Sequence, residues 1–209
     1  MNDIILTRGG KDLNAAKKVM IMLHGRGGSS ADMLAFSQKL EVESFTLLAP
    51  QAATRSWYPR SFMEIPAMNE PSLSDALDYL YALVIKLGNE GIGSERIYFL
   101  GFSQGACLTL EFVSRHPASY GGVIAFTGGL IGDKIYEDNY EGDFGGTPVF
   151  IGTSDPDMHV PVERVEATGR LMKGMNASVT TKIYVNMGHT INEDEIRQAN
   201  GILRRIRAV

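Results

Sequence analysis

The chain has 209 residues, of which 44% are hydrophobic, and a formal net charge of −4. This length favours one α/β domain over residues 1–209, and the negative charge argues against nucleic acid or an anionic membrane as a partner. Cys107 is the only cysteine. Because no intrachain disulfide can form and no run reaches the roughly 18 apolar residues of a membrane span, we expect a cytoplasmic protein without stable membrane insertion.

Two hydrophobic periods alternate along the chain. Short apolar runs rich in β-branched and aromatic residues predict strands at 19–24, 45–50, 97–102, 122–127, 148–153 and 179–186. Longer stretches with apolar residues at i, i+3 and i+4 predict helices near 30–42, 72–89, 104–116, 160–174 and 192–207. The alternation predicts a mostly parallel central sheet with helices on both faces, and ligands at the carboxyl ends of its strands.

Ser103 lies at one of these strand-to-helix junctions, in the stretch "YFLGFSQGACLTLEF". The glycines two positions before and after it, Gly101 and Gly105, form the pattern G-x-S-x-G of a nucleophile elbow. Glycine relieves the crowding of a tight turn and leaves the serine hydroxyl exposed. We therefore predict that Ser103 is a nucleophile, the alternative being a helix N-cap.

A nucleophilic serine needs a base and an acid that orients it. His189 follows the last predicted strand and is the candidate base, because His24 comes too early in the chain and His116 lies far along the helix that follows Ser103. His159 is a weaker candidate. The carboxylates after the strand at 148–153 are the candidate acids, and the residues alone leave both open: Asp155 and Asp157.

The glycine-rich stretch "LHGRGGSSADM" follows the first predicted strand and precedes a helix capped by Ser29 or Ser30. We predict that the backbone N–H groups of Arg26 and Gln104 form an oxyanion hole. The alternative is a phosphate cradle. Neither glycine-rich phosphate motif, G-x-G-x-x-G or G-x-x-x-x-G-K-[ST], occurs in the chain.

Residues 54–72 are the candidate substrate loop. They contain the only tryptophan and several other apolar side chains. We predict that Trp57, Tyr58 and Phe62, together with His159, line a cleft that accepts an acyl chain or an aromatic ester. The alternative is a loop folded over a small core of its own. Three cations are candidates to attract an acidic leaving group: Arg26, Arg55 and Arg60.

Six motifs occur in order along nearly the whole chain: "LHGRGG", "APQAATRSWY", "GFSQGACLTL", "FTGGL", "DMHVP" and "GHTI". With these motifs the chain resembles the phospholipase/carboxylesterase family of α/β-hydrolases, the group that includes acyl-protein thioesterases. The resemblance implies that residues 1–209 form a single α/β-hydrolase domain with little or no cap domain.

The resemblance also implies a Ser-Asp-His triad. The serine of the family's G-F-S-Q-G motif falls on Ser103 and the histidine of its G-H motif on His189. The family's acid stands four residues before the proline of a D-x-x-V-P segment, which gives Asp157, with Asp155 kept as the alternative. Arg26 stands at the oxyanion position, where thioesterases carry an apolar side chain.

We therefore expect a serine hydrolase that needs no metal or other cofactor and forms an acyl-enzyme on Ser103. Its expected partner is a small-molecule ester or thioester with a small to medium acyl or aromatic group. The alternatives are acyl-protein thioesterase or lysophospholipase activity, or a non-catalytic protein that binds a small molecule in the same cleft. The resemblance also makes a homodimer possible.

Overall fold

Seven strands form one sheet in the computed structural model, which describes residues 4–16 and 18–205. They are β1 (Ile5–Gly10), β2 (Lys18–Leu23), β3 (Phe45–Gln51), β4 (Ile97–Phe102), β5 (Gly122–Phe126), β6 (Pro148–Asp155) and β7 (Ser178–Val185). Their order across the sheet is β1-β3-β2-β4-β5-β6-β7. β1 runs antiparallel to β3, and the six other strands are parallel to one another.

Five α-helices cover the two faces of this sheet. They are α1 (Ser30–Phe36), α2 (Ser72–Asn89), α3 (Gln104–Arg115), α4 (Val162–Gly174) and α5 (Glu193–Leu203). Alternate side chains of β2 enter two different cores, since Ile21 packs with α2, α3 and α4 and Met22 packs with α1 and α5. The central strands are therefore buried on both faces, which explains their nearly continuous apolar sequences.

The order of the strands defines where a ligand can enter. β2 lies between β3 and β4, so the chain leaves β2 toward one side of the sheet and later continues on the other side. Crevices outside the carboxyl ends of strands at such a switch point are the usual ligand sites of open α/β sheets. The turns that follow β2 and β4 meet there, and they carry the glycine-rich stretch and Ser103.

The mostly parallel sheet with helices on both faces is confirmed, and six of the strands lie where the apolar runs predict them. β1 was missed because its sequence, ILTRGG, has only two apolar residues and forms a half-exposed antiparallel edge. The first helix is shorter than predicted and passes into a 3-10 turn, Ser37–Lys39. The last helix ends at Leu203, and the final two positions predicted for it, 206 and 207, lie outside the described residues.

The longest connections in the described part of the chain are 52–71, between β3 and α2, and 127–147, between β5 and β6. Each contains only a short 3-10 helix, so no helical cap is inserted at either place. None of the helices within residues 4–16 and 18–205 has the length and apolarity required to span a bilayer.

Candidate active site

Ser103 occupies the turn between β4 and α3 with φ 53° and ψ −119°, a conformation that L-residues rarely adopt. The two glycines explain how so tight a turn is possible. A Cβ at Gly101 would lie 2.3 Å from the Gly105 carbonyl oxygen, and one at Gly105 would lie 2.1 Å from the Leu23 carbonyl oxygen. Only glycine fits at either position, and the Ser103 hydroxyl is left projecting at the carboxyl edge of the sheet.

The structure brings Ser103, His189 and Asp157 into one hydrogen-bonded chain. His189 Nε2 lies 2.8 Å from Ser103 Oγ, and His189 Nδ1 lies 2.8 Å from Asp157 Oδ2. The other carboxylate oxygen of Asp157 accepts the backbone N–H groups of His159 at 2.8 Å and Val160 at 2.9 Å. The Asp157 carboxylate is therefore held by its own loop while it orients the imidazole.

These contacts define the charge and the tautomer in the site. Burial opposes ionisation of Asp157, but the hydrogen bonds from His159, His189 and Val160 outweigh it and lower the pKa of this carboxyl. An ionised Asp157 can only accept, so His189 Nδ1 carries the proton and Nε2 can accept the Ser103 hydroxyl proton.

The other candidate acid stands outside this chain of contacts. Asp155 is the exposed last residue of β6, and its backbone carbonyl accepts the Asn186 N–H at 2.8 Å. Among the described residues, its side chain has no hydrogen bond to His189. The geometry thus favours Asp157 as the partner of the imidazole.

The loop that carries His189 is fixed at both ends. The buried Ser154 hydroxyl, at the end of β6, accepts the Gly188 N–H at 2.9 Å. On the far side, Asn192 caps α5 and Glu195 accepts the Asn192 N–H at 2.9 Å, which completes a capping box. These anchors hold the imidazole in place relative to Asp157 and Ser103.

The turn after β2 passes close to Ser103, since a Cβ built at Gly25 would lie 3.4 Å from the Ser103 Cβ. Within the part of the chain that the structure describes, neither the Arg26 nor the Gln104 backbone N–H donates a hydrogen bond. Buried or cleft-facing amides are normally paired. The Gln104 N–H directly follows Ser103, the Arg26 N–H lies next to Gly25 in the nearby turn, and both are available to a developing oxyanion.

The side chain of Arg26 makes contacts that the sequence did not predict. Arg26 Nη1 donates to Ser56 Oγ at 2.8 Å and to the Pro59 carbonyl at 3.0 Å. Its Nη2 donates to the Tyr58 carbonyl at 3.0 Å and to the Arg60 carbonyl at 2.6 Å. The guanidinium therefore binds the backbone of the predicted substrate loop, which leaves only its Nε–H for direct hydrogen bonding to an acidic leaving group.

The Gln104 side chain binds the same segment. Its Oε1 accepts the Trp57 N–H at 3.0 Å, and its Nε2 donates to the Tyr58 carbonyl at 2.8 Å. The indole N–H of Trp57 in turn donates to the His24 carbonyl at 2.8 Å. The segment after β3 is thus tied both to the start of α3 and to the end of β2.

A cleft of about 750 Å³ opens at Ser103. Tyr58, Phe62 and His159 line it as predicted, and the ring centroid of His159 lies 4.9 Å from that of His189. Trp57 does not line it, because its side chain is 3% exposed and packs in the core against the ring of His24. Cleft-lining residues that sequence reasoning did not assign to the site are Gly25, Pro59, Ser61, Glu64, Phe102, Cys107 and Val160.

Most of these missed residues adjoin a predicted one in sequence, so extending each motif by a few positions would have found them. Cys107 lies one helical turn beyond Ser103, where its side chain is buried, and burial raises the pKa of its thiol to about 12. It is therefore an uncharged, unreactive part of the cleft floor. Ser154 carries no local sequence signal for its part in holding the His189 loop, whereas the N-x-x-E spacing of Asn192 and Glu195 is a capping-box pattern that could have indicated theirs.

The described residues contain no group of three or more His, Cys, Asp or Glu side chains that could hold a metal ion. The glycine-rich turn after β2 is engaged by segment 55–60 rather than left open as a cradle, because Gly27 N donates to the Arg55 carbonyl at 2.7 Å. These contacts favour the oxyanion interpretation of that turn over the phosphate interpretation.

The sheet order, the glycine-flanked serine and the position of His189 together define an α/β-hydrolase. The chain belongs to the phospholipase/carboxylesterase family, which matches residues 11–206. A crystal structure of a phospholipase/carboxylesterase from Dyadobacter fermentans is 46% identical, with a TM-score of 0.95 over 97% of this chain and 98% of that one. A carboxylesterase structure from Bacillus cereus, 20% identical with a TM-score of 0.77, covers 95% of this chain and 92% of its own and shares the fold.

Curated relatives are more distant. A probable carboxylesterase from Arabidopsis thaliana, described as SOBER1-like, is 27% identical over 74% of this chain and 60% of its own length. Acyl-protein thioesterase 1 from Gibberella zeae is 30% identical over 61% of this chain and 55% of its own. The chain thus spans less than two thirds of the length of these two curated relatives.

Proposed function

We propose that this protein is a serine esterase that hydrolyses carboxylic esters through an acyl-enzyme on Ser103. The observation that carries the proposal is the continuous contact from Ser103 Oγ through the imidazole of His189 to Asp157, with both hydrogen bonds at 2.8 Å. The likeness to the Dyadobacter fermentans phospholipase/carboxylesterase, at 46% identity over nearly the whole of both chains, supports it.

In the acylation step, Ser103 Oγ attacks the carbonyl carbon of the ester while His189 Nε2 takes the hydroxyl proton. The carbonyl oxygen becomes negatively charged and accepts hydrogen bonds from the Arg26 and Gln104 backbone N–H groups. Collapse of this intermediate breaks the bond to the alcohol oxygen, and the proton on His189 transfers to that oxygen. Asp157 stabilises the imidazolium that exists between the two transfers.

Deacylation repeats the sequence with water as the nucleophile. His189 Nε2 accepts a proton from the water molecule as its oxygen attacks the acyl carbon. The same backbone N–H groups bind the second oxyanion. When the bond to Ser103 Oγ breaks, His189 returns the proton to the serine and the carboxylic acid leaves.

The cleft suits an acyl or aromatic group of small to medium size. It combines the rings of Tyr58, Phe62 and Phe102 with the polar groups of Ser61 and Glu64, in a volume of about 750 Å³. Apolar rings beside the nucleophile would bind the acyl part, and the polar groups would face the alcohol part. We propose esters of this class as substrates.

Thioester or lysophospholipid hydrolysis is the second candidate, and the likeness to the Gibberella zeae acyl-protein thioesterase favours it. The proposed chemistry serves either leaving group, because only the atom that leaves differs. A direct comparison of matched oxygen esters and thioesters of one acyl group would rank them by kcat/KM.

The central test uses a fluorophosphonate probe, which reacts with an activated serine. We expect the wild-type protein to be labelled and to turn over p-nitrophenyl esters, and the Ser103→Ala variant to do neither. Ser61→Ala is the matched control, because Ser61 also lines the cleft. This variant keeps Ser103 and should still be labelled there. A folded wild-type protein that is neither labelled nor active would favour the non-catalytic binding alternative.

A series of p-nitrophenyl esters of increasing chain length tests the substrate class. We expect kcat/KM to rise from the shortest esters, reach a maximum at a small or medium acyl chain, and then fall. Continued increase toward the longest chains would contradict the proposed size limit and would favour lipid-like substrates.

A further inference from the structure

We propose that Arg26 is a positioning residue. Its guanidinium binds backbone carbonyls of the substrate loop and thereby holds the Arg26 backbone N–H toward the carbonyl of the substrate. The inference rests on the proposed function and extends it, because it assigns a role in the reaction to a side chain rather than to the backbone. It also makes segment 55–60 part of the oxyanion machinery.

The contacts of the guanidinium carry the first step. Its two terminal nitrogens bear four N–H groups, and four acceptors lie within 2.6–3.0 Å of them. Three of these acceptors are the successive carbonyls of Tyr58, Pro59 and Arg60, and the fourth is the Ser56 hydroxyl. Because the guanidinium is planar and rigid, four simultaneous contacts leave it little freedom to move.

The peptide group that carries the Arg26 N–H is held on its carbonyl side, because the Gly25 carbonyl accepts the Gly28 N–H at 3.0 Å and the His24 Nδ1–H at 2.7 Å. The guanidinium adds a second restraint, which acts on the side chain of residue 26. Its neighbours are glycines, and a Cβ at Gly27, which has φ +76°, would meet nothing within 4 Å. Gly27 N donates to the Arg55 carbonyl, and the Arg55 Nε donates to the Gly28 carbonyl at 3.2 Å. Backbone contacts therefore hold the residues on either side of Arg26, and the guanidinium is the anchor of the Arg26 side chain.

The side chains of the two predicted oxyanion-hole residues, Arg26 and Gln104, donate to the same backbone carbonyl oxygen. The Tyr58 carbonyl oxygen accepts Arg26 Nη2 at 3.0 Å and Gln104 Nε2 at 2.8 Å. Arg26 and Gln104 come from different elements, the turn after β2 and the start of α3, and this shared acceptor ties them together. The side chains of the two predicted donor residues are thereby held to the same point of the substrate loop.

The arrangement argues against a second role for Arg26, the two-pronged binding of a substrate carboxylate. With all four terminal N–H groups bound to the protein, Arg26 retains only its Nε–H and cannot present the two-pronged face that binds a carboxylate. Its charge still adds to the local field, but its directional hydrogen bonds serve the substrate loop.

The test compares Arg26→Gln and Arg26→Lys with the wild-type protein on one p-nitrophenyl ester. We expect kcat to fall about 10- to 100-fold in Arg26→Gln with KM changed less than about 3-fold, because a displaced donor weakens binding of the transition state more than of the substrate. Arg26→Lys keeps the charge but has three N–H donors on one nitrogen, so its kcat should fall between the two.

A second measurement separates positioning from general support. The affinity for a trifluoromethyl ketone, whose adduct with Ser103 carries an oxyanion, should weaken by about the same factor as kcat/KM. The affinity for the carboxylate product, which forms no oxyanion, should change less than about 3-fold. Arg170→Gln is the control, because Arg170 is an exposed arginine on α4 that pairs with Glu166 of the same helix and does not line the cleft.

Each outcome bears on a different claim. If wild-type protein neither hydrolyses esters nor reacts with a fluorophosphonate, the proposed function fails and this inference fails with it. If wild-type protein is active and Arg26→Gln matches it in kcat and in ketone affinity, the inference alone is wrong. Equal losses of ketone and product affinity would overturn it as well. Should Arg26→Gln not fold, Arg26→Lys and Ser56→Ala carry the same comparison.

Discussion

Two histidines at the carboxyl edge of the sheet show how hydrogen-bond partners separate structure from chemistry. His24 is buried, its Nε2 accepts the Ala52 N–H at 3.2 Å, and its Nδ1–H therefore donates to the Gly25 carbonyl at 2.7 Å. Burial lowers the pKa of His24, so it stays neutral. At His189, by contrast, Nδ1 lies 2.8 Å from the Asp157 carboxylate and Nε2 faces the Ser103 hydroxyl instead of a backbone amide.

Substitution of the two candidate acids separates their roles. We expect Asp157→Asn to lower kcat by about 10³- to 10⁴-fold, because an amide in place of the carboxylate can hold the imidazole in the wrong tautomer and cannot stabilise the imidazolium. Asp155→Asn is the matched control and should keep kcat within about 3-fold. Steady-state kinetics with one p-nitrophenyl ester would check both, and the opposite ranking would reassign the acid.

For individual residues, the sequence predicts which candidates converge at the site but not all of the hydrogen bonds between them. Ser103 and His189 follow strands of a parallel sheet, so their convergence at one edge is predictable. The choice between Asp155 and Asp157 depends on how one short loop folds back on itself. The Arg26 contacts join residues 30 to 34 positions apart, and no local pattern reports such a pairing.

At the scale of elements, the β4–α3 junction depends on the absence of two side chains. We expect Gly105→Ala to abolish soluble folded protein or to destabilise it by about 3 kcal/mol or more, since its Cβ would overlap the Leu23 carbonyl oxygen. Gly88→Ala, inside α2 with nothing within 4 Å of the added Cβ, is the control. It should leave stability unchanged or raise it by up to about 1 kcal/mol. Denaturant unfolding followed by circular dichroism would measure these stabilities. A Gly105→Ala variant as stable as the wild-type protein would contradict the prediction.

The N-terminus of α5 contains a buried carboxyl. Glu195 is fully buried, one of its oxygens accepts the Asn192 N–H, and the other lies where a side chain at residue 152 would stand. Burial raises the pKa of Glu195 to about 7, the hydrogen bond from Asn192 opposes this, and the charge of Asp194 adds to it. The folded protein therefore keeps a proton that the unfolded chain has released above about pH 4.5.

This difference makes stability depend on pH in a defined direction. Between about pH 4.5 and 7 the folded state binds more protons at Glu195, so its contribution to stability is full at the acidic end and is lost as pH rises. We expect the free energy of unfolding of Glu195→Gln, relative to wild type, to rise by about 1–3 kcal/mol between pH 5 and pH 8. Glu193→Gln, at the exposed start of α5, should show no such rise, and a pH-independent Glu195 difference would contradict the assignment.

The same scale shows the limits of periodicity as a guide to elements. Strands β2 to β6 were predictable because burial selects apolar runs, and α2 because it keeps one apolar face over 18 residues. β7 is half exposed, and its β-branched and aromatic residues made it predictable. β1 contacts only one neighbouring strand, so its sequence is under little hydrophobic constraint. Its position in the fold depends on a long-range antiparallel pairing that sequence periodicity does not contain.

At the scale of the whole molecule, order across the sheet predicts a gradient of local stability. β4 is hydrogen-bonded on both sides and buried on both faces, whereas β1 and β7 have one partner strand each and are half exposed. We expect native-state hydrogen exchange to be slowest in β2, β4 and β5 and fastest in β1 and β7. Mass spectrometry of peptic peptides would measure this, and equal protection of β7 and β4 would contradict it.

This gradient has a bearing on the site. Ser103 follows β4, in the middle of the sheet, while Asp157 and His189 follow β6 and β7, toward one edge. The proposed nucleophile thus follows a strand that is hydrogen-bonded to a neighbour on each side. The proposed base follows the half-exposed edge strand β7, and the hydrogen bonds of Ser154 and Glu195 tether the loop that carries it.

Three of the four acceptors of the Arg26 guanidinium are backbone carbonyl oxygens, which every amino acid carries. Exchanging the side chains of Tyr58 or Arg60 would therefore leave these acceptors in place. A mutant library confined to such positions could reshape acyl preference while the amide geometry around Ser103 persisted. In evolutionary terms, selectivity and rate could diverge independently along this short segment.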